Sequence, residues 1–288
     1  MRMKENRLKA KTAAHLSLTG FWLKGVILIG VLLILNMFCN NFIPLYPPEQ
    51  PISVQALSDI TFQQMLSLFM DALVPDVITR TFILRLAICI SLFFLIIPPF
   101  QQGLKFFFFN VLTGKKPKLS VAFSWYLSLA KVFGAIRLYI YVGILSALWG
   151  LLCMILPASV IIAGQLFSSP ALMLLGLLLY IAASILLSLK LTAYTPAFYI
   201  FSVTPSIGVV NAVKDSVRIT RGRLWECFVF QLSFIPWNIA VMFTGNIGYL
   251  FFQPYFITSN MAFVNLLVLD ANGVTSPPEE KVDAPSEE

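Results

Sequence analysis

Residues 207–255 decide the fold: they open with IGVVNAVKDSVRIT, continue through RGRLW, and then stay largely apolar up to QPY. In the opening part, apolar residues recur at the spacing of one helix face; they are Ile207, Val210, Val213 and Val217. Polar residues take the other face, at Asn211, Lys214, Asp215, Arg218 and Arg221. Two apolar runs follow, joined by Thr244-Gly245-Asn246. The pattern predicts a basic amphipathic helix on a membrane surface, followed by a transmembrane hairpin.

The composition of the whole chain points to the same class of protein. Of 288 residues, 58% are hydrophobic and 11% are charged, and the mean hydropathy is +0.85. Soluble domains carry about 25% charged residues, so a soluble fold of this size would lack polar surface. A bilayer removes that problem because a lipid-facing exterior can be as apolar as the core. We therefore predict an all-α polytopic membrane protein.

Six apolar runs are long enough to cross a bilayer. They cover about residues 21–43, 81–109, 132–162, 171–201, 224–243 and 247–269. The chain is thus divided into a basic arm (1–20), a six-helix membrane domain (21–269) and an acidic tail (270–288) that we expect to be disordered. The segment 44–80 is the longest stretch between predicted spans.

Lysine and arginine are concentrated on one side of the predicted bundle. They fill the arm, the turn at 113–118 and the segment 207–223, whereas the loop 44–80 on the opposite side contributes only Arg80. Positively charged loops remain in the cytoplasm, so we predict a plasma-membrane protein with both termini cytoplasmic. The three basic segments raise the hypothesis of a threefold helical-hairpin repeat. The alternative is that every cytoplasmic end of a span favours Gly, Trp and basic residues.

Charged residues inside predicted spans are functional candidates because a charge at bilayer depth is costly. Lys190, near the middle of 171–201, is the deepest, and Glu226 is a conceivable partner for it. Arg137 is a third candidate ligand or transport residue, and the alternative is a side chain that extends to the cytoplasmic interface. Extension of the side chain to the interface also accounts for Arg85 and Lys105, and offers an alternative for Glu226.

Prolines fall in five of the six predicted spans, at Pro98-Pro99, Pro157, Pro196, Pro236 and Pro254. Broken helices free backbone carbonyls that can line a transport path. The competing explanation is that proline is simply more frequent in membrane helices than in soluble ones. The prolines alone therefore do not establish a transporter.

The basic segments predict contact with anionic lipid headgroups. The candidate residues are Lys115, Lys116, Lys118, Lys214, Arg218, Arg221, Arg223 and Trp225. Each Lys or Arg near an anionic surface contributes on the order of 1 kcal/mol. The alternative is that these charges only orient the protein. Nucleic-acid binding is not expected, because the charges carry no known fold signature for it.

Enzyme motifs are missing from the sequence. Gly114-Lys115 lacks the glycine spacing of a phosphate loop. The single histidine, His15, lies in the arm and is assigned no role, which excludes most general-base schemes. No aspartate falls in the middle of a span, so an intramembrane aspartyl pair is excluded as well. We expect a non-enzymatic protein with no cofactor and no metal.

Several motifs resemble those of a known family. They are NAVKDS at 211–216, RGRLW at 221–225, LSFIPW at 232–237, NIGYL at 246–250 and QPY at 253–255, with LTGK at 112–115 and the Trp149–Pro157 stretch upstream. Over roughly residues 100–265 the chain resembles a bacterial integral-membrane family, "domain of unknown function 975". Pro236 and Ala158 stand where that family usually has glycine, and the 165–176 region is longer. The resemblance implies six membrane helices and no particular reaction.

Two functions from different classes remain open at this point. The first is a non-enzymatic membrane component that binds lipid, partner proteins or further copies of itself through basic amphipathic cytoplasmic helices. The alternative is a transporter or channel component whose path is lined by proline-broken helices and Lys190. An enzyme acting on lipid is a more distant third.

Overall fold

The computed structural model describes residues 2–41, 80–244 and 247–273. In these ranges the chain forms ten α-helices and two short 3₁₀ helices, with no strand. The α-helices are, in chain order, α1 Arg2–Leu18, α2 Trp22–Asn41, α3 Arg80–Leu112, α4 Leu129–Leu166, α5 Pro170–Thr192, α6 Thr195–Val203, α7 Val209–Thr220, α8 Leu224–Leu232, α9 Ile235–Phe243 and α10 Tyr249–Ala271. Most of the predicted loop 44–80 and of the predicted tail 270–288 lies outside the described residues.

Five stretches of the described chain are long and apolar enough to cross a membrane. They are Trp22–Cys39, Ala87–Leu112, Leu129–Leu166, Pro170–Val203 and Leu224–Phe243. These stretches coincide with the first five predicted spans. The predicted sixth span, 247–269, corresponds to α10, which does not belong to this group. Polar residues inside α10, namely Gln253, Asn260 and Asn265, lower its apolar character.

Two of the predicted spans are divided into two helices at a proline. Pro196 is the second residue of α6 and Pro236 the second residue of α9. Proline has no backbone N–H to donate, so it is tolerated in the first turn of a new helix. The prolines of α3, α4 and α10 lie instead within continuous helices. The predicted breaks therefore occur at two positions only.

Helix α10 lies at the centre of the bundle. It packs against α1, α2 and α3, and every residue from 257 to 264 is buried. Helices α8 and α9 run antiparallel to it. The Phe230 ring stacks on Phe263 with centroids 4.1 Å apart, and the Gln231 Nε2 atom donates to Asn260 Oδ1 at 2.6 Å. A segment that is buried on all sides, as 257–264 is, belongs to a core.

Helices α4 and α5 form a long antiparallel hairpin that exposes most of its side chains. Gly164 and Gly176 allow the two helices to approach closely, against Met173 and Ile161 respectively. At 1.5 Å per residue, the 38 residues of α4 extend about 57 Å. This exceeds the roughly 30 Å hydrocarbon thickness of a bilayer. Outward residues such as Leu151, 71% exposed, are apolar.

The short helices α1 and α7 share one packing pattern. Their fully buried residues are spaced four apart, at Ala10, Ala14 and Leu18 in α1 and at Ala212, Ser216 and Thr220 in α7. Two residues after the last of these, Gly20 and Gly222 adopt positive φ values of 82° and 78°. Helix α1 packs on α10, and α7 packs on α6. The shared pattern favours the repeat hypothesis for these two segments.

The third basic segment has a different form. Residues Leu119–Leu127 make a 3₁₀ helix that packs on α3 and buries Ala122 and Trp125. Of its other large apolar residues, Phe123, Tyr126 and Leu127 are exposed. In α7, similarly, Val213 is buried but Val210 and Val217 are exposed. In both segments, some apolar residues are buried against neighbouring helices and others are exposed.

Candidate functional site

The basic turn after α3 is held by a glycine at the helix end. Gly114 has a φ of 74°, and the Lys115 N–H donates to Asn110 O at 2.9 Å, which closes the C-terminus of α3. Lys115, Lys116 and Lys118 are exposed beyond it. The Lys24 Nζ atom of α2 donates to Pro117 O at 3.4 Å and fastens the turn to α2. The turn is thus a fixed, cationic edge of the bundle.

The predicted headgroup residues near α7 differ in exposure and in whether they already form an ion pair. Lys214 and Arg221 are exposed, and Trp225 is 64% exposed. Arg218 is also exposed but pairs with Asp215 at 3.1 Å, and Arg223 pairs with Asp270 at 3.0 Å. The Arg223 guanidinium therefore ties the start of α8 to the end of α10. It is less available to a headgroup than the sequence suggested.

Arg137 lines a groove of about 740 Å³ between α4 and the loop before α7. Lys131 lies on the same wall, and Ser206 and Val209 contribute from the loop and the start of α7. Farther along α4 the wall becomes apolar, at Ile140, Tyr141 and Ile144. No Asp or Glu lines the groove. It is cationic at one end and apolar at the other.

Lys190 has an aromatic partner. Its Nζ atom lies 4.4 Å from the ring centroid of Trp149, within the range of a cation–π contact. The Trp149 Nε1 atom donates to the Tyr194 hydroxyl at 2.8 Å, which fixes the indole. The hairpin thus supplies the partner that a lysine in an apolar helix requires.

Glu226 does not pair with Lys190 in the described structure. Helices α5 and α8 are neighbours, but within the described residues the Glu226 Oε1 atom is buried without a hydrogen-bond partner. The two residues that sequence reasoning brought together therefore stay apart. The side chain of Arg85 lies outside the described part of the chain.

The basic arm is docked on the bundle through α1. The Lys11 Nζ atom lies 4.6 Å from the ring centroid of Phe234. Burial lowers the pKa of Lys11 from its ordinary value, and the positive charge of Arg7 lowers it further. His15 lines a largely apolar groove of about 620 Å³ with Trp22 and Trp237.

A central cavity of about 430 Å³ escaped the sequence analysis. It lies between α2, α3, α6 and α10, and its polar lining residues are Asn36, Gln101, Lys105, Tyr199, Tyr249 and Gln253. Lys105 was expected to extend to the interface. The structure places it inside the bundle, with Nζ 5.5 Å and 5.8 Å from the Phe198 and Tyr199 centroids. Gln101 and Lys105 are four residues apart, so they share a helix face; that polar pair was the available signal.

The fold and these sites define an all-helical protein with five candidate membrane-spanning helices, a cationic edge and a polar central cavity. Among the described residues, no group of three or more His, Cys, Asp or Glu side chains could hold a metal ion. The chain belongs to the family described as "Protein of unknown function (DUF975)", which matches residues 1–268. This match extends the resemblance seen over residues 100–265 to the arm and the first helices. No curated protein and no solved structure matches the chain.

Proposed function

We propose that this protein is a non-enzymatic integral component of the plasma membrane that binds anionic lipid headgroups at its cytoplasmic edge. In this proposal α10 is the sixth span and both termini are cytoplasmic. A span with polar residues is compatible with a bilayer when neighbouring helices satisfy those residues. The Gln231–Asn260 hydrogen bond and the burial of residues 257–264 supply that condition.

The topology is tested by labelling intact cells with a membrane-impermeant thiol reagent. Lys116→Cys, placed in a variant whose four native cysteines are replaced, is expected to react only after the cells are permeabilised. Reaction in intact cells would place the basic turn on the outer side and contradict the orientation.

The observation that carries the lipid proposal is the groove between α4 and the start of α7. Lys131 and Arg137 provide positive charge at one end, and Ile140, Tyr141 and Ile144 line the continuation. An anionic phospholipid has the same division between a phosphate and an acyl chain. Arginine suits phosphate because its guanidinium can donate two parallel hydrogen bonds. We infer that the phosphate binds at Arg137 and Lys131 and that an acyl chain follows α4.

The exposed cations around the groove play a weaker part in this proposal. The three lysines of the turn after α3, together with Lys214 and Arg221 near α7, are exposed. Each adds on the order of 1 kcal/mol at an anionic surface, and salt screens this attraction. They concentrate anionic lipid near the protein, while the groove selects it.

The test compares two double variants that each remove two positive charges. Purified protein in neutral phosphatidylcholine nanodiscs is titrated with phosphatidylglycerol, and binding is followed by native mass spectrometry. Lys131→Gln with Arg137→Gln is expected to weaken binding about tenfold or more, at low and at high salt, since a direct hydrogen bond to a charged phosphate contributes about 1.5–3 kcal/mol and is screened less than diffuse attraction.

The matched control is Lys115→Gln with Lys116→Gln in the exposed turn. Its effect is expected to be smaller and to disappear at high salt. If both double variants weakened binding equally at low salt and neither did so at high salt, lipid attraction would be diffuse. The groove would then not be a lipid site.

The transport alternative is supported by the helix breaks at Pro196 and Pro236. Its named residue, Lys190, gives it less support, because the ammonium lies on Trp149 rather than in a polar path. We therefore retain lipid binding as the primary proposal, with transport to be tested through Lys190.

A further inference from the structure

A single ammonium group lies partly buried between α2, α3, α6 and α10, and no anionic residue lines the cavity around it. Lys105 lines the central cavity, and no Asp or Glu lines it. Within the described residues, Lys105 makes no hydrogen bond and no ion pair; its contacts are with the Phe198 and Tyr199 rings. Partial burial of a charge without a counterion carries a desolvation cost, which the two aromatic contacts offset only in part. The Lys105 ammonium therefore lacks a counterion among the described residues.

Three of the remaining polar groups of the cavity can donate to a ligand, whereas Asn36 and Tyr249 already donate to Leu32 O and Asn238 Oδ1. The Gln101 Oε1 atom accepts from the Tyr139 hydroxyl, so the Gln101 amide presents its N–H groups to other partners. The Tyr199 hydroxyl and the Gln253 amide make no hydrogen bond to the described protein. Lys105, Gln101 and Tyr199 thus offer three kinds of donor around one positive charge. Such a set suits a carboxylate, which accepts only.

The rest of the cavity wall is apolar. It is formed by Ile29, Leu32, Leu33, Leu104, Phe256 and Ile257. At about 30 Å³ for a water-sized group, the cavity of about 430 Å³ holds roughly fourteen such groups. That volume accommodates a small organic acid with a hydrophobic body.

We propose that the central cavity binds an organic monocarboxylate with an apolar body. The carboxylate contacts the Lys105 ammonium, the Gln101 amide and the Tyr199 hydroxyl, and the body lies against Leu33 and Ile257. One cation and neutral donors select a single negative charge. This site is separate from the α4 groove, so it goes beyond the lipid function proposed above.

The probe is 4-phenylbutyrate, which is soluble in water and has twelve non-hydrogen atoms. Binding to full-length protein in phosphatidylcholine nanodiscs is measured by isothermal titration calorimetry. The wild type is expected to bind the acid at least tenfold more tightly than 4-phenylbutan-1-ol, which has the same body without the charge. Lys105→Met is expected to lose this preference and to bind the acid at least tenfold more weakly.

Lys190→Met is the matched control, since it removes a lysine from another apolar helix and leaves the cavity intact. It is expected to bind the acid as the wild type does. Equal affinity of wild type and Lys105→Met for the acid would overturn the proposal. So would a wild type that bound the acid with a Kd above about 10 mM, weaker than a specific site requires.

A second variant decides the question if Lys105→Met does not fold. Tyr199→Phe keeps the ring and removes only the hydroxyl, and it is expected to weaken acid binding severalfold without affecting the alcohol. Unchanged affinity for the acid would overturn the proposal. Phosphatidylglycerol binding by Lys105→Met or Tyr199→Phe is expected to match the wild type, so failure here is distinguishable from failure of the lipid proposal.

Discussion

The core around α10 and the α4–α5 hairpin follow opposite rules for placing polar residues. In the core, polar side chains such as Asn260 and Lys105 lie inside the bundle, paired or facing a cavity. On the hairpin, the outward surface is almost entirely apolar, and Lys190 is covered by an aromatic ring. A bundle surrounded by hydrocarbon can expose Leu and Ile without cost, but it must enclose polar groups. The least apolar long helix is therefore the central one.

The largest expected effect comes from removing a ring from the core. Phe230→Ala deletes the partner that stacks on Phe263 at 4.1 Å and leaves a cavity at a fully buried position. Such changes cost about 3–5 kcal/mol. The measurement is unfolding in mixed detergent micelles. Leu151→Ala, at a 71% exposed hairpin position, serves as the control and should change stability little; equal losses would contradict the contrast between the two regions.

A second test compares glycine-to-alanine substitutions in the core and in the hairpin. A Cβ atom at Gly103 would lie 1.9 Å from the Ala122 carbonyl oxygen, so backbone would have to move. We expect Gly103→Ala to destabilise by about 1–3 kcal/mol. Gly143→Ala on the hairpin meets nothing within 4 Å and should be neutral or slightly stabilising, because alanine favours helix. Thermal unfolding that ranks the two variants alike would show that the 3₁₀ helix is not seated on α3.

The smallest effect is expected at Lys190. Lys190→Met removes the cation–π contact with Trp149, which contributes about 0.5–2 kcal/mol. We expect the stability losses of Lys190→Met and Trp149→Leu to sum to more than the loss of the double variant. The reason is that both substitutions remove the same contact. Solute flux in proteoliposomes should be unchanged. Loss of flux with stability retained would instead favour the transport alternative, with Lys190 acting in the transport path.

Sequence patterns located the apolar helices well, because the mean hydropathy of a segment depends only on its own residues. The first five predicted spans coincide with five helical stretches, and residues 171–201 and 224–243 are divided at Pro196 and Pro236. What each apolar face packs against was not predicted. In α7, Val213 is buried in the bundle, whereas Val210 and Val217 are exposed on its surface. Spacing shows which residues share a face; only the neighbouring helix decides whether that face is buried.

For the candidate site residues, too, the sequence indicated the position of a charge but not its surroundings. Charge within an apolar run singled out Arg137 and Lys190, and the structure gives the first a groove and the second an aromatic partner. Lys105 was assigned to the interface from its position near the end of a span, and the sequence did not reveal the cavity that it lines. Glu226 was offered as a candidate partner of Lys190, but its Oε1 atom has no hydrogen-bond partner among the described residues. Depth along a helix is visible in sequence, but direction around the helix axis is not.

The sequence by itself determined an all-helical chain of long apolar segments separated by basic turns, because length, hydropathy and charge are properties of each segment alone. Only the tertiary structure decided that α10 is central, that α1 is docked on it, and that Lys105 faces a cavity. The physical reason is that packing depends on which helix surfaces meet. That pairing arises from contacts between segments far apart in the chain, which the local pattern of either segment does not contain.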